Sequence, residues 1–223
     1  MIFVSLFDIL GPVMVGPSSS HTAGACRLGL MARAIFGGQP QHARIALHGS
    51  FAKTGEGHGT HRAIVGGLIG LAPDDLRLRQ AYDEAKAAGL TWDFEEVDLG
   101  DEAHPNTAIF DLVRDDATVR VRGASIGGGR IEVTEIDEFP VSLSGSYDTL
   151  VVLARDEPGT IMTITGLCAA QGINLATMRV DRTGRRKDAL MTIESDAHIP
   201  DAVLEDLREF DWLRWVRRVD RIA

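Results

Sequence analysis

Glycine and histidine are spread unevenly along this chain of 223 residues, and that step limits its possible folds more than any other feature. Twenty of the 24 glycines and six of the seven histidines precede residue 148; beyond it stand four glycines and His198. Two domains of different construction produce such a step, whereas one uniformly built domain does not. The stretch Gly145-Ser146-Tyr147-Asp148 fits a junction, dividing the chain into residues 1–147 and 148–223. Charge is uneven too, with 12 basic and 19 acidic residues before the junction and 11 and 13 after it. The net charge of −9 argues against nucleic acid or an acidic membrane surface as partner. Apolar residues make up 44% and charged residues 25%, as in ordinary globular chains. No apolar run approaches the roughly 20 residues that span a bilayer. The apolar start lacks a basic leader and carries Asp8, a poor fit to a secretory signal. A cytoplasmic enzyme or regulatory protein is the expectation.

The first part reads as mixed helix and strand. Helices are predicted over 23–36, 60–70 and 74–88, and strands over 43–48, 92–99 and 108–113. Residues 118–122 and 130–134 alternate around Gly127-Gly128-Gly129, which signals a hairpin. The second part is more regular. Strands over 150–153, 175–182, 189–194 and 213–219 alternate with helices over 160–170 and after Pro200. The first of these helices places Ile161, Ile164, Leu167 and Cys168 on one face. Strand, helix, two strands, helix, strand is the ferredoxin-like split unit, so the whole chain is α+β.

Ser18-Ser19-Ser20-His21-Thr22 precedes a run of helix formers. The free N–H groups and dipole of a helix start suit a carboxylate or phosphate. A cap alone needs one serine, not three plus a histidine. Thr54-Gly55-Glu56-Gly57-His58-Gly59-Thr60-His61 is a glycine-spaced loop, and glycines let backbone approach a ligand closely. His58 has little local packing to justify it. A zinc pair of His58 and His61 lacks both H-E-x-x-H and a third ligand. His104-Pro105-Asn106-Thr107 reads equally as an Asx turn or as a site. Gly123-Ala124-Ser125-Ile126-Gly127 matches G-x-S-x-G, but a glycine run and a strand follow where a nucleophile elbow needs a helix. Asp156-Glu157-Pro158-Gly159-Thr160 opens a helix after a strand, and its backbone N–H groups suit a small amino acid. Two cysteines, Cys26 and Cys168, cannot supply the four thiolates of an iron–sulfur cluster.

These motifs converge. The first part resembles the β domain or β chain of bacterial iron–sulfur L-serine dehydratases. The resemblance rests on residues 5–12, on Gly16-Pro17-Ser18-Ser19-Ser20-His21-Thr22-Ala23-Gly24, and on Gly57-His58-Gly59-Thr60, His104-Pro105-Asn106 and Gly127-Gly128-Gly129. The second part resembles an ACT domain through Asp156-Glu157-Pro158-Gly159 and Gly172-Ile173-Asn174-Leu175. The first fold is also similar to a substrate-binding regulatory domain of some phosphoglycerate dehydrogenases. One departure is His61, where the family more often carries an acidic residue.

The resemblance implies deamination of L-serine to pyruvate and ammonia with a [4Fe–4S] cluster, whose open iron acts as Lewis acid on the serine hydroxyl. It implies that His58 and His104 transfer protons and that Ser18, Ser19, Ser20, His21, Thr22, Thr60 and Asn106 bind substrate. Asp156, Pro158, Gly159 and Asn174 would bind an effector. It implies no metal ligand in this chain, a cluster-bearing α chain as partner, and a homodimer through ACT domains. The rival reading is a non-catalytic amino-acid sensor built on an ACT dimer. A zinc hydrolase using His58 and His61 is a third.

Overall fold

The structure is a computed structural model and describes residues 13–55, 57–184 and 187–222. Residues 5–12 of the resemblance, and Arg185 of the turn at 183–185, lie outside the described residues. The chain forms two compact units, divided between Asp137 and Glu138.

The first unit contains, in chain order, α1 (Ala25–Phe36), β1 (His42–His48), α2 (Gly49–Thr54), α3 (Thr60–Leu68), α4 (Ala81–Ala87), β2 (Thr91–Val97), β3 (Thr107–Arg114), β4 (Ala117–Gly127) and β5 (Arg130–Ile136). Its strands run in the order β2-β1-β3-β4-β5. β1 and β2 are parallel, and the other pairs are antiparallel. A parallel step needs a long crossover, which here carries α2, α3 and α4.

Helices α1 and α3 approach backbone to backbone. A Cβ on Gly67 would lie 2.1 Å from the Cys26 carbonyl oxygen, and one on Gly29 would lie 2.4 Å from that of Ile64. Glycine lowers the helix propensity of α3 but permits this contact. The buried faces add Leu28, Met31, Ile35, Phe36, Ile64, Val65 and Leu68 to a core shared with Ile45, Leu47, Phe110 and Leu112.

Several boundaries differ from the expectation. The helix expected over 23–36 starts at Ala25, after a π-type turn over Ser19–Gly24. The helix expected over 74–88 is a 3-10 turn, Leu76–Gln80, followed by α4. Gln80, at φ −119° and ψ 23°, leaves the helical region between them. Helix α2 has six residues, too few to show a period in sequence.

The second unit contains β6 (Phe139–Leu143), β7 (Asp148–Arg155), α5 (Thr160–Ala170), β8 (Leu175–Arg182), β9 (Asp188–Ser195), α6 (Asp201–Arg208) and β10 (Leu213–Val219). Strand β6 alternates buried and exposed residues, but Pro140 hid it as a strand. The sheet order β10-β7-β9-β8, antiparallel throughout, is the ferredoxin-like arrangement. One core joins Leu150, Val152, Ile164, Cys168, Met191, Ile193, Leu204 and Leu207. Ile161, expected on the inward face of α5, is instead 48% exposed. It lies in the first turn, beside the exposed Glu157-Pro158-Gly159 loop, where the helix has little to pack against. Among the described residues no helix is long and apolar enough to cross a membrane.

Candidate functional site

The serine-rich turn is the nucleus. Ser18 is extended, and its Oγ accepts the His21 N–H at 3.2 Å, while its carbonyl accepts the Thr22 N–H at 2.8 Å. Of the three expected ligand hydroxyls, Ser18 therefore caps the turn; Ser19 and Ser20 are half-buried. Gly16 holds φ +151°, and a Cβ there would meet Thr22 Oγ1 at 2.4 Å, so the chain before the turn lies directly on it. Thr22 is buried and its hydroxyl donates to the His58 carbonyl at 3.2 Å. That bond ties the turn to the glycine-spaced loop.

His21 and His58 meet edge to face, with ring centroids 5.0 Å apart. Phe51 meets His21 from another side at 5.3 Å. His21 Nε2 lies 3.1 Å from both Ser50 Oγ and Thr54 Oγ1. The Thr54 hydroxyl donates to the Ser50 carbonyl at 2.9 Å, so its oxygen is left to accept from His21, which puts the ring proton on Nε2. Burial, and then the neighbouring His58, push His21 below the ordinary imidazole value of 6.5, against an opposing hydrogen bond at Ser50. His21 is thus held neutral, as a hydrogen-bonding rather than a cationic group.

His58 is exposed, and its ring makes no hydrogen bond with the described residues. Gly59, at φ +76° with open space around it, gives the turn a left-handed residue at the start of α3. Thr60 is fully buried and its Oγ1 has no partner among the described residues.

The His104-Pro105-Asn106 segment joins this cluster through α2. The Ser50 N–H donates to the Pro105 carbonyl at 2.7 Å. Gly49, at φ +59°, allows that approach, since a Cβ would meet Pro105 Cα at 2.8 Å. His104 is exposed and its Nδ1 accepts the Asn106 N–H at 3.1 Å, leaving Nε2 to carry the proton. Asn106 Nδ2 donates to the Ser125 carbonyl at 3.4 Å, while its Oδ1 is buried without a partner among the described residues. Ser125 lies within β4, not on a strand-to-helix elbow, and is fully buried. A Cβ on Gly24 would stand 2.0 Å from its Oγ.

Sequence reading missed Phe51 and Ser50, and took Thr54 only as the start of the glycine-spaced loop, because α2 itself left no periodic signal. It missed Ser125 as a neighbour of the turn, because only strand pairing brings β4 beneath it. His61 points elsewhere, stacked on Phe94 at 4.1 Å and 17°. Among the described residues the one set of three His, Cys, Asp or Glu side chains close enough to share an ion is Asp148, His198 and Asp220, in the second unit.

The cysteines do not fit an iron–sulfur cluster. Cys26 is buried, donates to the Leu71 carbonyl at 3.2 Å, and burial pushes its thiol up to about 12. Cys168 is also buried, and burial raises it too. Cluster ligation needs thiolates.

In the second unit, Asp156 accepts from Arg182 at 3.0 Å and its N–H donates to the Lys187 carbonyl at 2.7 Å. Pro158 and Gly159 are exposed before α5, whose N-terminus no side chain caps. Asn174 is exposed, and its carbonyl accepts from Ser195 at 2.8 Å.

The family model described as serine dehydratase beta chain matches residues 5–136, and the ACT domain model matches residues 149–211. The chain belongs to the serine dehydratase beta chain family. It is 43% identical to the probable L-serine dehydratase, beta chain, of Bacillus subtilis, over 93% of this chain and 94% of that one. It is 35% identical to the L-serine dehydratase, beta chain, of Peptoniphilus asaccharolyticus, over 89% and 90%. A more distant likeness joins 84% of this chain to 34% of a D-3-phosphoglycerate dehydrogenase from Synechocystis, at 30% identity. The chain thus carries a unit matched by the beta chain model, followed by an ACT domain.

Proposed function

We propose that the chain is the β subunit of an L-serine dehydratase, a lyase that deaminates L-serine to pyruvate and ammonia together with an iron–sulfur α chain. The observation that carries this reading is the His21–His58 pair, built on the serine-rich turn in a chain of this family. His58, exposed and without a hydrogen bond on its ring among the described residues, is the proposed base at the α carbon of serine. His21, held neutral beside it, orients the substrate. Ser19, Ser20, Thr22, Thr60 and Asn106 are the proposed substrate-binding residues, Thr60 from a fully buried position, and the exposed His104 presents an N–H at Nε2. The enamine left by dehydration hydrolyses to pyruvate and ammonia. Since neither cysteine fits a cluster, the cluster and its ligands are assigned to the α chain. The division of labour at residues 147 and 148 and a cytoplasmic location are part of the proposal.

The exposed edge strand β8 and the apolar surface of α5 support a homodimer through the ACT unit, with Asp156, Pro158, Gly159 and Asn174 as effector-binding residues. The likeness to part of a phosphoglycerate dehydrogenase favours, as a second reading, a non-catalytic amino-acid sensor. Titration calorimetry with L-serine, with and without the α chain, separates the two. Tight binding by this chain alone supports the sensor.

The dehydratase reading is tested by purifying the chain alone and with its α chain. Alone it should be colourless and inactive; a brown, serine-deaminating preparation of this chain by itself would sink the assignment. In the reconstituted enzyme, His58→Ala and His104→Ala should each lower turnover about 100-fold or more, as lost proton transfer does. Near-wild-type turnover in both would remove these residues from the mechanism.

A further inference from the structure

A cleft of about 390 Å³ opens beside the histidine pair, and Thr22, His58, Gly59, Arg62 and Arg79 are among the residues lining it. Its character is at odds with the rest of the unit. The protein carries a net charge of −9, yet the described lining of this cleft holds two guanidinium groups, an imidazole and no carboxylate. A second cavity of about 610 Å³ in the same unit is lined by Glu96, Asp98 and Asp101 beside Lys53 and His48. The cationic lining is therefore a local arrangement and not the general tone of the surface.

The two arginines are not engaged in holding the fold. Among the described residues Arg79 makes no ion pair or side-chain hydrogen bond, and Arg62 makes none either, its guanidinium lying over the Tyr82 ring at 5.8 Å. By contrast Arg77, two residues from Arg79, is fully committed to Asp75 at 2.6 Å. The backbone adds to the same field. Gly59 and the first turn of α3 line the cleft, and no side chain caps that nine-residue helix. The Thr60 N–H is taken by the Gly55 carbonyl at 2.7 Å, but the dipole at this helix end favours negative charge, as guanidinium forks favour carboxylate and phosphate oxygens.

We propose that this cleft binds a small oxyanion, a carboxylate or a phosphate, clamped by Arg62 and Arg79. If the dehydratase reading holds, on which this part rests, the clamp seats the substrate carboxylate with its α carbon toward His58. The serine hydroxyls then need not carry that charge alone.

The test uses the full-length chain in titration calorimetry with L-serine, L-serinamide and inorganic phosphate. L-serine or phosphate should bind weakly, short of the tight binding that would mark a sensor, and L-serinamide, which lacks the carboxylate, should not bind. Binding of L-serine without phosphate assigns the cleft to carboxylates; binding of phosphate with weak L-serine assigns it to phosphoryl groups. Arg62→Gln and Arg79→Gln should each weaken the bound oxyanion about tenfold, or about 1.4 kcal/mol, with partial rescue by Lys. Unchanged melting temperatures of the variants would show that the fold is intact. Binding as tight in the double variant as in the wild type, equal binding of L-serinamide, or no binding of either anion overturns the clamp. Reconstitution with the α chain separates the two claims. An active enzyme whose KM for L-serine ignores both arginines refutes the substrate role and leaves the dehydratase standing. An inactive one whose isolated β chain still loses phosphate on Arg→Gln refutes the dehydratase and leaves the clamp.

Discussion

His21 shows how one residue couples stability to pH. Burial and the His58 ring favour its neutral form in the folded chain. In the unfolded chain it takes up a proton near the ordinary 6.5, and in the folded chain only at lower pH. Between those two points the unfolded state holds more protons, so stability rises with pH there. The contribution of His21 is complete above 6.5 and is lost as pH falls below it. Melting temperatures measured from about pH 8 to about pH 5 should fall on the acid side, and His21→Gln should flatten that fall relative to wild type. Identical pH profiles would show that His21 is not set by its surroundings. Gly16 and Gly24 belong to the same scale. Sequence displayed them only as the two ends of the serine-rich motif over residues 16–24. Only the fold shows that each is pressed against a named atom, Thr22 Oγ1 or Ser125 Oγ.

At the scale of elements, the crossing of α1 and α3 is the feature on which the site depends. Helix α1 follows the serine-rich turn and α3 follows the His58 loop, so their packing sets the distance between His21 and His58. Gly29 and Gly67 let the helices touch through backbone. Gly67→Ala places a methyl 2.1 Å from the Cys26 carbonyl, which neither helix relieves without moving. We expect it to cost about 1–3 kcal/mol, as overpacking does, read as a lower denaturation midpoint. An unchanged midpoint would mean the crossing is looser than drawn. Sequence named both helices, but helix propensity counts the glycines of α3 against it, because propensity is a property of an isolated segment. Helix α2 was invisible for the opposite reason. Its six residues carry no pattern, yet Ser50, Phe51 and Thr54 surround His21.

At the scale of the whole molecule, the second unit leaves apolar surface uncovered. Met162 is 74% exposed, Ile161 48% and Val180 39%. Helix α5 exposes Ile161 and Met162 and β8 is an edge strand of its sheet, two features that the proposed second copy would cover. Light scattering on the purified chain should give the mass of a dimer, and Met162→Glu should reduce it to the monomer. A monomeric wild type at micromolar concentration removes the proposed pairing. The sequence by itself determined the two-part plan, the βαββαβ order and the motifs Ser18–Thr22, Gly57–Thr60 and His104–Asn106. These are local facts, carried by composition steps, periodicity and turn chemistry between near neighbours. Tertiary structure decided which motifs meet. It set His21 against His58, joined Pro105 to α2, turned His61 away onto Phe94 and gathered Arg62 and Arg79 into one cleft. Those outcomes follow from strand pairing and helix contact between distant segments, and no spacing along the chain encodes a distance across the fold.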